Sequence, residues 1–187
     1  MDSLAREAIA PRLRGRFGHE YLFVESTPST QLLLAPEAPE GTVVVAGEQT
    51  EGRGRLGRRW LAPAETSLLC SVQLLPRVDP QRLPELTGVA ALAAAEAIEV
   101  LTGLPPEIKE PNDLLVGGRK VAGVLAEARE ERVILGIGIN VNIPAGELPT
   151  GVATSLLLET GREVDRADLL VELLDRLEQR YDAWLSA

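Results

Sequence analysis

Cysteine and histidine are almost absent from this chain of 187 residues. It contains one cysteine, Cys70, and one histidine, His19. A single cysteine excludes an internal disulfide and a cysteine-rich metal site, and a single histidine excludes a histidine-rich zinc site. We therefore expect no transition-metal chemistry.

Long apolar runs are absent as well. Nowhere do eighteen apolar residues follow one another, and the N-terminal segment carries charges at Asp2, Arg6 and Glu7. Neither a membrane-spanning helix nor a secretion signal is therefore predicted, and we expect a cytoplasmic protein with no membrane partner. The apolar content of 45% is enough for one ordinary core, so we expect a single domain over residues 1–187.

Positive charge is scarce, because the formal net charge is −9. General nucleic-acid binding needs clustered positive charge over a broad face, so DNA is not an expected partner. A Gly-x-x-x-x-Gly-Lys-Ser/Thr phosphate loop is also missing, and the lone histidine and cysteine belong to no nucleophile constellation. Any chemistry must therefore work by positioning and charge.

Hydrophobic patterning predicts a sheet accompanied by single helices. The predicted strands cover residues 21–25, 42–48, 66–75, 107–116, 120–129 and 132–142. The predicted helices are a short one within residues 1–16 broken by Pro11, another over 31–35, a buried one over 81–102, and an amphipathic C-terminal one capped by Asp165. Because several neighbouring strands are joined by short turns, such as Gly117-Gly118, we expect an α+β fold with a mixed, largely antiparallel sheet.

A glycine- and arginine-rich loop follows the strand over residues 42–48. Its sequence is Gly52-Arg53-Gly54-Arg55-Leu56-Gly57, with Arg58 and Arg59 behind it. Glycines let the main chain approach a ligand, and guanidinium groups form paired hydrogen bonds with carboxylates or phosphates. This composition is typical of a loop that wraps a small anion, although a solvated turn between two strands fits it equally well.

Two further segments carry groups suited to the same kind of ligand. In Lys109-Glu110-Pro111-Asn112-Asp113 the backbone can turn, so that Lys109 and Asp113 face one site while Lys120 returns on the next strand. Asp113 could then bind magnesium or an ammonium group, and a hairpin with surface charges is the alternative. In Gly136-Ile137-Gly138-Ile139-Asn140 the alternating glycines leave a flat face, and Asn140 suits an adenine edge; close packing of a helix is the alternative.

Taken in their order along the chain, these motifs resemble those of biotin–protein ligases. The shared motifs are Ser29-Thr30-Gln31, the loop from Glu48 to Trp60, Lys109-x-Pro-Asn-Asp113, Gly118-Arg119-Lys120-x-Ala122-Gly123 and Gly138-Ile139-Asn140. The resemblance spans roughly residues 23–142 and continues weakly into the C-terminal helix. It implies a fold related to class II aminoacyl-tRNA synthetases, in agreement with the mixed sheet predicted above.

The resemblance also implies a role for particular residues. Those implied to bind biotin are Ser29, Thr30, Gln31, Gln49, Arg53, Gly54, Arg55, Lys120 and Gly123. Those implied to bind ATP are Arg55, Arg58, Trp60, Lys109, Asn112, Lys120 and Asn140, with Trp60 and Asn140 meeting the adenine. The implied catalytic residues are Lys120, Arg53 and Arg55, and Asp113 is the implied contact for Mg²⁺.

The implied reaction joins biotin to ATP and then to a protein. The biotin carboxylate attacks the α-phosphorus of Mg-ATP to give biotinyl-5′-AMP, and a lysine of a biotin carboxyl carrier domain then attacks the mixed anhydride. Neither step needs an enzyme nucleophile or a tightly bound prosthetic group. Because such an anhydride must be shielded from water, we expect the loop over residues 51–58 to be mobile when empty and ordered when ligand is bound.

This chain departs from the family's pattern in two ways. Glu110 stands where the family usually has tryptophan, and a carboxylate there could weaken the attraction for ATP or for the acceptor. The family's C-terminal β-barrel and the repressors' N-terminal DNA-binding domain are also missing, so transcriptional control is not expected. The resemblance further implies that a homodimer could form through an exposed strand edge. The alternative functions are a lipoate or octanoate ligase and a non-catalytic biotin-binding module.

Overall fold

The computed structural model describes residues 4–187, and these residues form one sheet of seven strands. The strands are β1 (Tyr21–Thr27), β2 (Val43–Gln49), β3 (Ser67–Leu74), β4 (Glu107–Lys109), β5 (Asp113–Val116), β6 (Arg119–Arg129) and β7 (Arg132–Asn140). They lie side by side in the order β1-β2-β3-β7-β6-β5-β4. Only β1 and β2 pair in parallel, and every other pair in this sheet is antiparallel. The expected mixed, largely antiparallel sheet is confirmed.

Four α-helices occur within residues 4–187. They are α1 (Arg6–Ile9), α2 (Leu86–Thr102), α3 (Leu156–Thr160) and α4 (Arg166–Leu185). Helix α2 ends at Gly103, whose φ of 74° is the left-handed conformation that glycine adopts without a steric penalty. Helix α4 begins after Asp165, whose side chain accepts hydrogen bonds from the backbone N–H groups of Ala167 and Asp168. No helix in the described part of the chain is long and apolar enough to cross a membrane.

Residue alternation along β3 and β7 separates the two faces of the sheet. The even-numbered residues of β3, Leu68 to Leu74, are buried in one core with α2 and α4. Since successive strand residues point to opposite sides, the odd-numbered ones lie on the face away from these helices. There Ser67 pairs with Asn140, Leu69 with Gly138 and Ser71 with Gly136. This second face, which has few bulky side chains, supports the candidate site.

Several predicted elements differ in detail. Residues 107–116 form two strands and not one, because the Pro111 and Asn112 region turns the chain between β4 and β5. The helix predicted over 31–35 is a single 3-10 turn, Thr30–Leu32, and the helix predicted over 81–102 starts as a 3-10 turn that contains Pro84. Helix α3 was not predicted at all, since its five residues are too few to show a helical period.

At the N-terminus, α1 is followed by a 3-10 turn over Ala10–Arg12, which contains Pro11. This agrees with the short, proline-interrupted helix predicted there. The first three residues of that prediction lie outside the described part of the chain.

Candidate active site

A cavity of about 110 Å³ lies on the face of the sheet opposite α2 and α4. It is lined by most of the residues that the sequence singled out: Ser29, Thr30, Gln31, Gln49, Arg53, Gly54, Arg55, Arg58, Trp60, Asn112, Lys120 and Gly123. The remaining lining residues are Arg59, Cys70, Val124, Leu125, Gly136, Ile137 and Gly138. The structure therefore joins motifs that are nearly a hundred residues apart in the chain.

One end of the cavity is a polar pocket held together by Thr30. The backbone N–H and the hydroxyl of Thr30 donate to Gln49 Oε1 at 2.8 Å and 3.0 Å. The same hydroxyl lies 2.7 Å from Ser71 Oγ, a residue that the motif analysis did not select. Because the oxygen of Gln49 is fixed in this way, its amide nitrogen faces Gly52 and is available as a donor.

The alternating glycines form a flat surface in the middle of the site. A Cβ atom on Gly138 would lie 2.7 Å from the Trp60 indole, and one on Gly123 would lie 3.1 Å from the same ring. A Cβ atom on Gly136 would lie 3.0 Å from the Gln31 amide. Side chains at these positions would collide with their neighbours, so the glycines are needed for close approach of flat groups.

The glycine- and arginine-rich loop is a β-hairpin that covers the cavity. Backbone hydrogen bonds join Gly54 N to Arg58 O and Trp60 N to Gly52 O, both at 2.8 Å. At the tip, Leu56 and Gly57 have φ values of 58° and 73°, the positive dihedrals of a type I′ turn.

Two arginines join this hairpin to the sheet. Arg53 Nη1 lies 3.3 Å from Glu127 Oε2 of β6, and Arg55 Nη1 donates to Asn112 Oδ1 at 3.3 Å. The hairpin therefore carries guanidinium groups across the opening of the cavity.

Lys120 lies at the other end of the cavity, between an acid and a ring. Its Nζ donates to Asp113 Oδ1 at 2.6 Å and lies 5.5 Å from the centroid of the Trp60 ring. Asp113 thus contacts an ammonium group, one of the two partners considered for it. Residues 4–187 contain no cluster of three or more acidic, histidine or cysteine side chains that could hold a metal by themselves. Asp113 could therefore supply one ligand only to a metal that enters together with phosphates.

Three of the predicted site residues lie outside the cavity. They are Asp113, which reaches it through Lys120, Lys109 on β4, and Asn140 at the end of β7. Lys109 is exposed and lies opposite Asp113 in the backbone register of β4 and β5, and it does not line the cavity.

Asn140 is buried at the end of the glycine surface. Its Nδ2 donates to Thr154 O at 2.9 Å, whereas its Oδ1 is buried without a hydrogen-bond partner among the described residues. A buried acceptor without a partner costs free energy, so Oδ1 is suited to accept a hydrogen bond from a bound molecule. The nearby Trp60 Nε1 is a buried donor in the same condition.

Cys70 adjoins the cavity, but as an even-numbered residue of β3 its side chain packs in the core with α2 and α4, and it has no nucleophilic role here. Burial raises the pKa of its thiol to about 12, because the thiolate would be desolvated.

The reactive character of the site therefore comes from its cations. Arginine and lysine side chains surround a cavity that has one uncharged polar end, so the geometry suits an elongated ligand with an anionic end.

Comparisons with known proteins identify the family. The sequence profile of the biotin/lipoate A/B protein ligase family matches residues 23–143. The bifunctional ligase/repressor BirA of Bacillus spizizenii is 41% identical over 172 residues, which cover 87% of this chain and 53% of that protein. The biotin--[acetyl-CoA-carboxylase] ligase of Paracoccus denitrificans is 36% identical over 171 residues, covering 86% of this chain and 69% of that protein.

A solved structure gives the same result. The biotin protein ligase from Aquifex aeolicus in complex with biotin and ATP superposes with a TM-score of 0.82 at 37% identity, covering 90% of this chain and 72% of that one. The resemblance to biotin–protein ligases and the fold it implied are confirmed, although the chain spans only about half the length of the Bacillus relative. This chain belongs to the biotin/lipoate A/B protein ligase family.

Proposed function

We propose that this protein is an ATP-dependent biotin–protein ligase. It would form biotinyl-5′-AMP and transfer the biotin to a lysine of a biotin carboxyl carrier domain. The observation that carries the proposal is the composition of one cavity, in which the polar pocket around Thr30 and Gln49 lies across a glycine surface from Lys120. The reaction needs these three regions: one for the uncharged ring of biotin, one for a planar group and one for the two anions that react.

The polar pocket favours biotin over a simple fatty acyl chain. The amide nitrogen of Gln49 and the hydroxyl of Ser29 supply hydrogen-bonding groups where the head of the ligand would lie, and Ser29 is buried. An acyl chain without a ureido group would leave these groups unpaired, which costs free energy at a buried position. A cyclic urea would pair with them.

The cations account for the first half-reaction. A carboxylate oxygen of biotin forms a bond to the α-phosphorus of ATP, and the bond from that phosphorus to the pyrophosphate oxygen breaks. Two anions must be brought together, and charge accumulates on the phosphoryl oxygens. Lys120, Arg53 and Arg55 would neutralise this charge, and Mg²⁺ would enter with ATP as part of the substrate.

The second half-reaction needs no further enzyme group. The uncharged amine of the carrier lysine attacks the carbonyl carbon of the anhydride, AMP leaves with the electron pair of the broken C–O bond, and the attacking nitrogen loses a proton to solvent as the amide forms. The hairpin over residues 52–60 would cover the anhydride and keep water away until the carrier arrives. We propose that the reaction takes place in the cytoplasm.

Biotin-dependent exchange of pyrophosphate into ATP tests this proposal. We expect exchange with biotin and Mg-ATP and little exchange with lipoate or octanoate. Exchange that occurs with lipoate alone would assign the protein to the sister activity. Tight biotin binding without any exchange would instead indicate a binding module, and either result would contradict the proposal.

A further inference from the structure

The segment that follows β7 returns to hold the first residues of β6. Lys120 N donates to Val152 O, and Thr154 N donates to Lys120 O, both at 2.8 Å. These bonds form a short parallel bridge between Lys120 and Ala153. The backbone of Lys120 is therefore fixed by a segment that does not belong to the sheet.

Thr154 connects three polar groups at this point. Besides the backbone bond to Lys120, its carbonyl accepts from Asn140 Nδ2 at 2.9 Å, and its hydroxyl donates to Glu159 Oε1. Thr154 is fully buried, so water does not replace any of these partners. The bond to the carbonyl fixes the Asn140 amide with its nitrogen engaged and its oxygen unpaired, as described above.

Glu159 stabilises this arrangement by accepting two hydrogen bonds. Its Oε1 accepts from Arg119 Nη2 at 2.6 Å as well as from the Thr154 hydroxyl, and its side chain is 14% exposed. It lies on α3, which Ser155 fixes at its start by accepting from Leu158 N and donating to Ile143 O. One carboxylate oxygen thus joins Thr154 to Arg119, the neighbour of Lys120 in the chain.

We propose that Glu159 is a positioning residue for nucleotide binding, which acts through Thr154 on Asn140 and on the strand that carries Lys120. The inference depends on the proposed function, because it assigns the ATP end of the same site. Without the carboxylate, the Thr154 hydroxyl loses its acceptor and the segment over residues 152–154 is no longer tied to Arg119. The Thr154 carbonyl that orients the Asn140 amide is then held only by the backbone bonds to Lys120, so the amide oxygen is positioned less firmly for a ligand. The polar pocket around Thr30, where the biotin ring would lie, shares no hydrogen bond with Glu159, Thr154 or Asn140, so we expect the affinity for biotin to change much less than that for ATP.

The test compares KM values for ATP and for biotin in pyrophosphate exchange. We expect Glu159→Ala and Thr154→Val to raise the KM for ATP about tenfold and to leave the KM for biotin within about twofold, as expected when one orienting hydrogen bond is lost. Glu159→Gln should stay close to the wild type, because its amide oxygen still accepts from the Thr154 hydroxyl. A KM for ATP close to the wild-type value in Glu159→Gln would show that ATP binding requires the hydrogen bond of this side chain and not its negative charge.

A matched control is Glu96→Ala, which removes the ion pair with Arg180 between α2 and α4 on the other side of the sheet. We expect it to change neither KM. The inference is overturned if Glu159→Ala leaves the KM for ATP unchanged, if both KM values rise together, or if Glu96→Ala has the same effect. If Thr154→Val fails to fold, the KM values of the variants at the partly exposed Glu159 test the inference alone. Absence of exchange in the wild type would instead overturn the proposed function, and this inference with it.

Discussion

At the scale of single residues, Lys120 is the group on which the proposed chemistry depends most. Its ammonium group has two neighbours, the Asp113 carboxylate at 2.6 Å and the Trp60 ring at 5.5 Å. Both neighbours hold the long side chain in one direction, so little conformational freedom is left to lose when an anion binds. The chain has one other lysine, Lys109, which does not line the cavity.

Replacement of Lys120 by alanine should abolish pyrophosphate exchange and spare much of the affinity for biotin. The physical reason is that the lysine neutralises charge that develops at the phosphorus, whereas the biotin head is held at the opposite end of the cavity. Exchange kinetics and calorimetric titration with biotin measure the two effects. Arg14→Ala, which removes an exposed cation paired with Glu172 of α4, is the control and should retain most of the exchange. An unchanged rate for Lys120→Ala would remove Lys120 from the catalytic role.

The buried thiol of Cys70 should resist alkylation. A pKa raised to about 12 leaves almost no thiolate at pH 8, and the reactive form of cysteine is the thiolate. We expect iodoacetamide to modify the folded protein very slowly and the urea-unfolded protein quickly, as measured by mass spectrometry. Rapid modification of the folded protein at pH 8 would show that the core between the sheet and the helices opens at this position.

At the scale of elements, the covering hairpin combines ordered hydrogen bonds with a strained tip. A type I′ turn favours asparagine followed by glycine, but this chain has Leu56 followed by Gly57. A leucine with a φ of 58° lies in a region that side chains with a Cβ atom occupy at a cost, and its side chain is 89% exposed, so packing does not offset this cost. The closed hairpin is therefore less stable than its hydrogen bonds alone would suggest.

Substitution of Leu56 should change how often the hairpin opens. Leu56→Asn should slow tryptic cleavage at Arg55 and Arg58 about fivefold in the absence of ligand, since relief of a left-handed φ amounts to about 1 kcal/mol. Leu56→Val should accelerate cleavage, because a β-branched side chain tolerates this φ even less. Both variants should be protected by saturating biotin and ATP. The same cleavage rate in both variants would show that the turn strain does not control opening.

The elements also show what the sequence alone could predict. The β-branched run in β2, the hairpin at Gly117-Gly118 and the Asp165 cap depend on local chemistry and were predicted correctly. By contrast, the contact of Ser71 with Thr30 depends on how β3 lies beneath a distant turn, and helix α3 is too short to carry a period. The motifs predicted which residues line the cavity. The motifs did not show that Asn140, Asp113 and Lys109 lie outside the cavity, because their positions depend on strand register and pairing.

At the scale of the whole molecule, the N-terminal segment is tied along α4 by alternating arginines. Arg12 pairs with Asp168, Arg14 lies 3.2 Å from Glu172, and Arg16 lies 2.6 Å from Asp182. Residues of the same segment, among them Ile9 and Phe17, are buried in the core. The N-terminal segment is therefore packed into the core, whereas the sequence predicted only that a short broken helix would form there.

This contact should be sensitive to acid. The hydrogen bond from Arg16 holds the pKa of Asp182 below its usual value of 3.8. A lowered pKa means that the stabilisation is present above about pH 4 and is lost as the pH falls below that value. Because Asp182 is half exposed, solvent screening limits the effect to roughly 0.5 kcal/mol. Urea unfolding should find Asp182→Asn less stable than the wild type at pH 7, and the difference should be smaller at pH 2.5. An equal difference at both pH values would contradict this assignment.

In the proposed reaction, biotin and the nucleotide are held together beneath the hairpin, in the cavity and beside the adjoining Asn140. A crystal structure of the protein grown with biotin and Mg-ATP tests it most directly. We expect biotin or its adenylate between the hairpin and the glycine surface, with the ring at Thr30 and Gln49, the phosphate about 3 Å from Lys120 Nζ, and the adenine amine on Asn140 Oδ1. If neither molecule lies beneath residues 52–58 in such crystals, the proposed site is wrong.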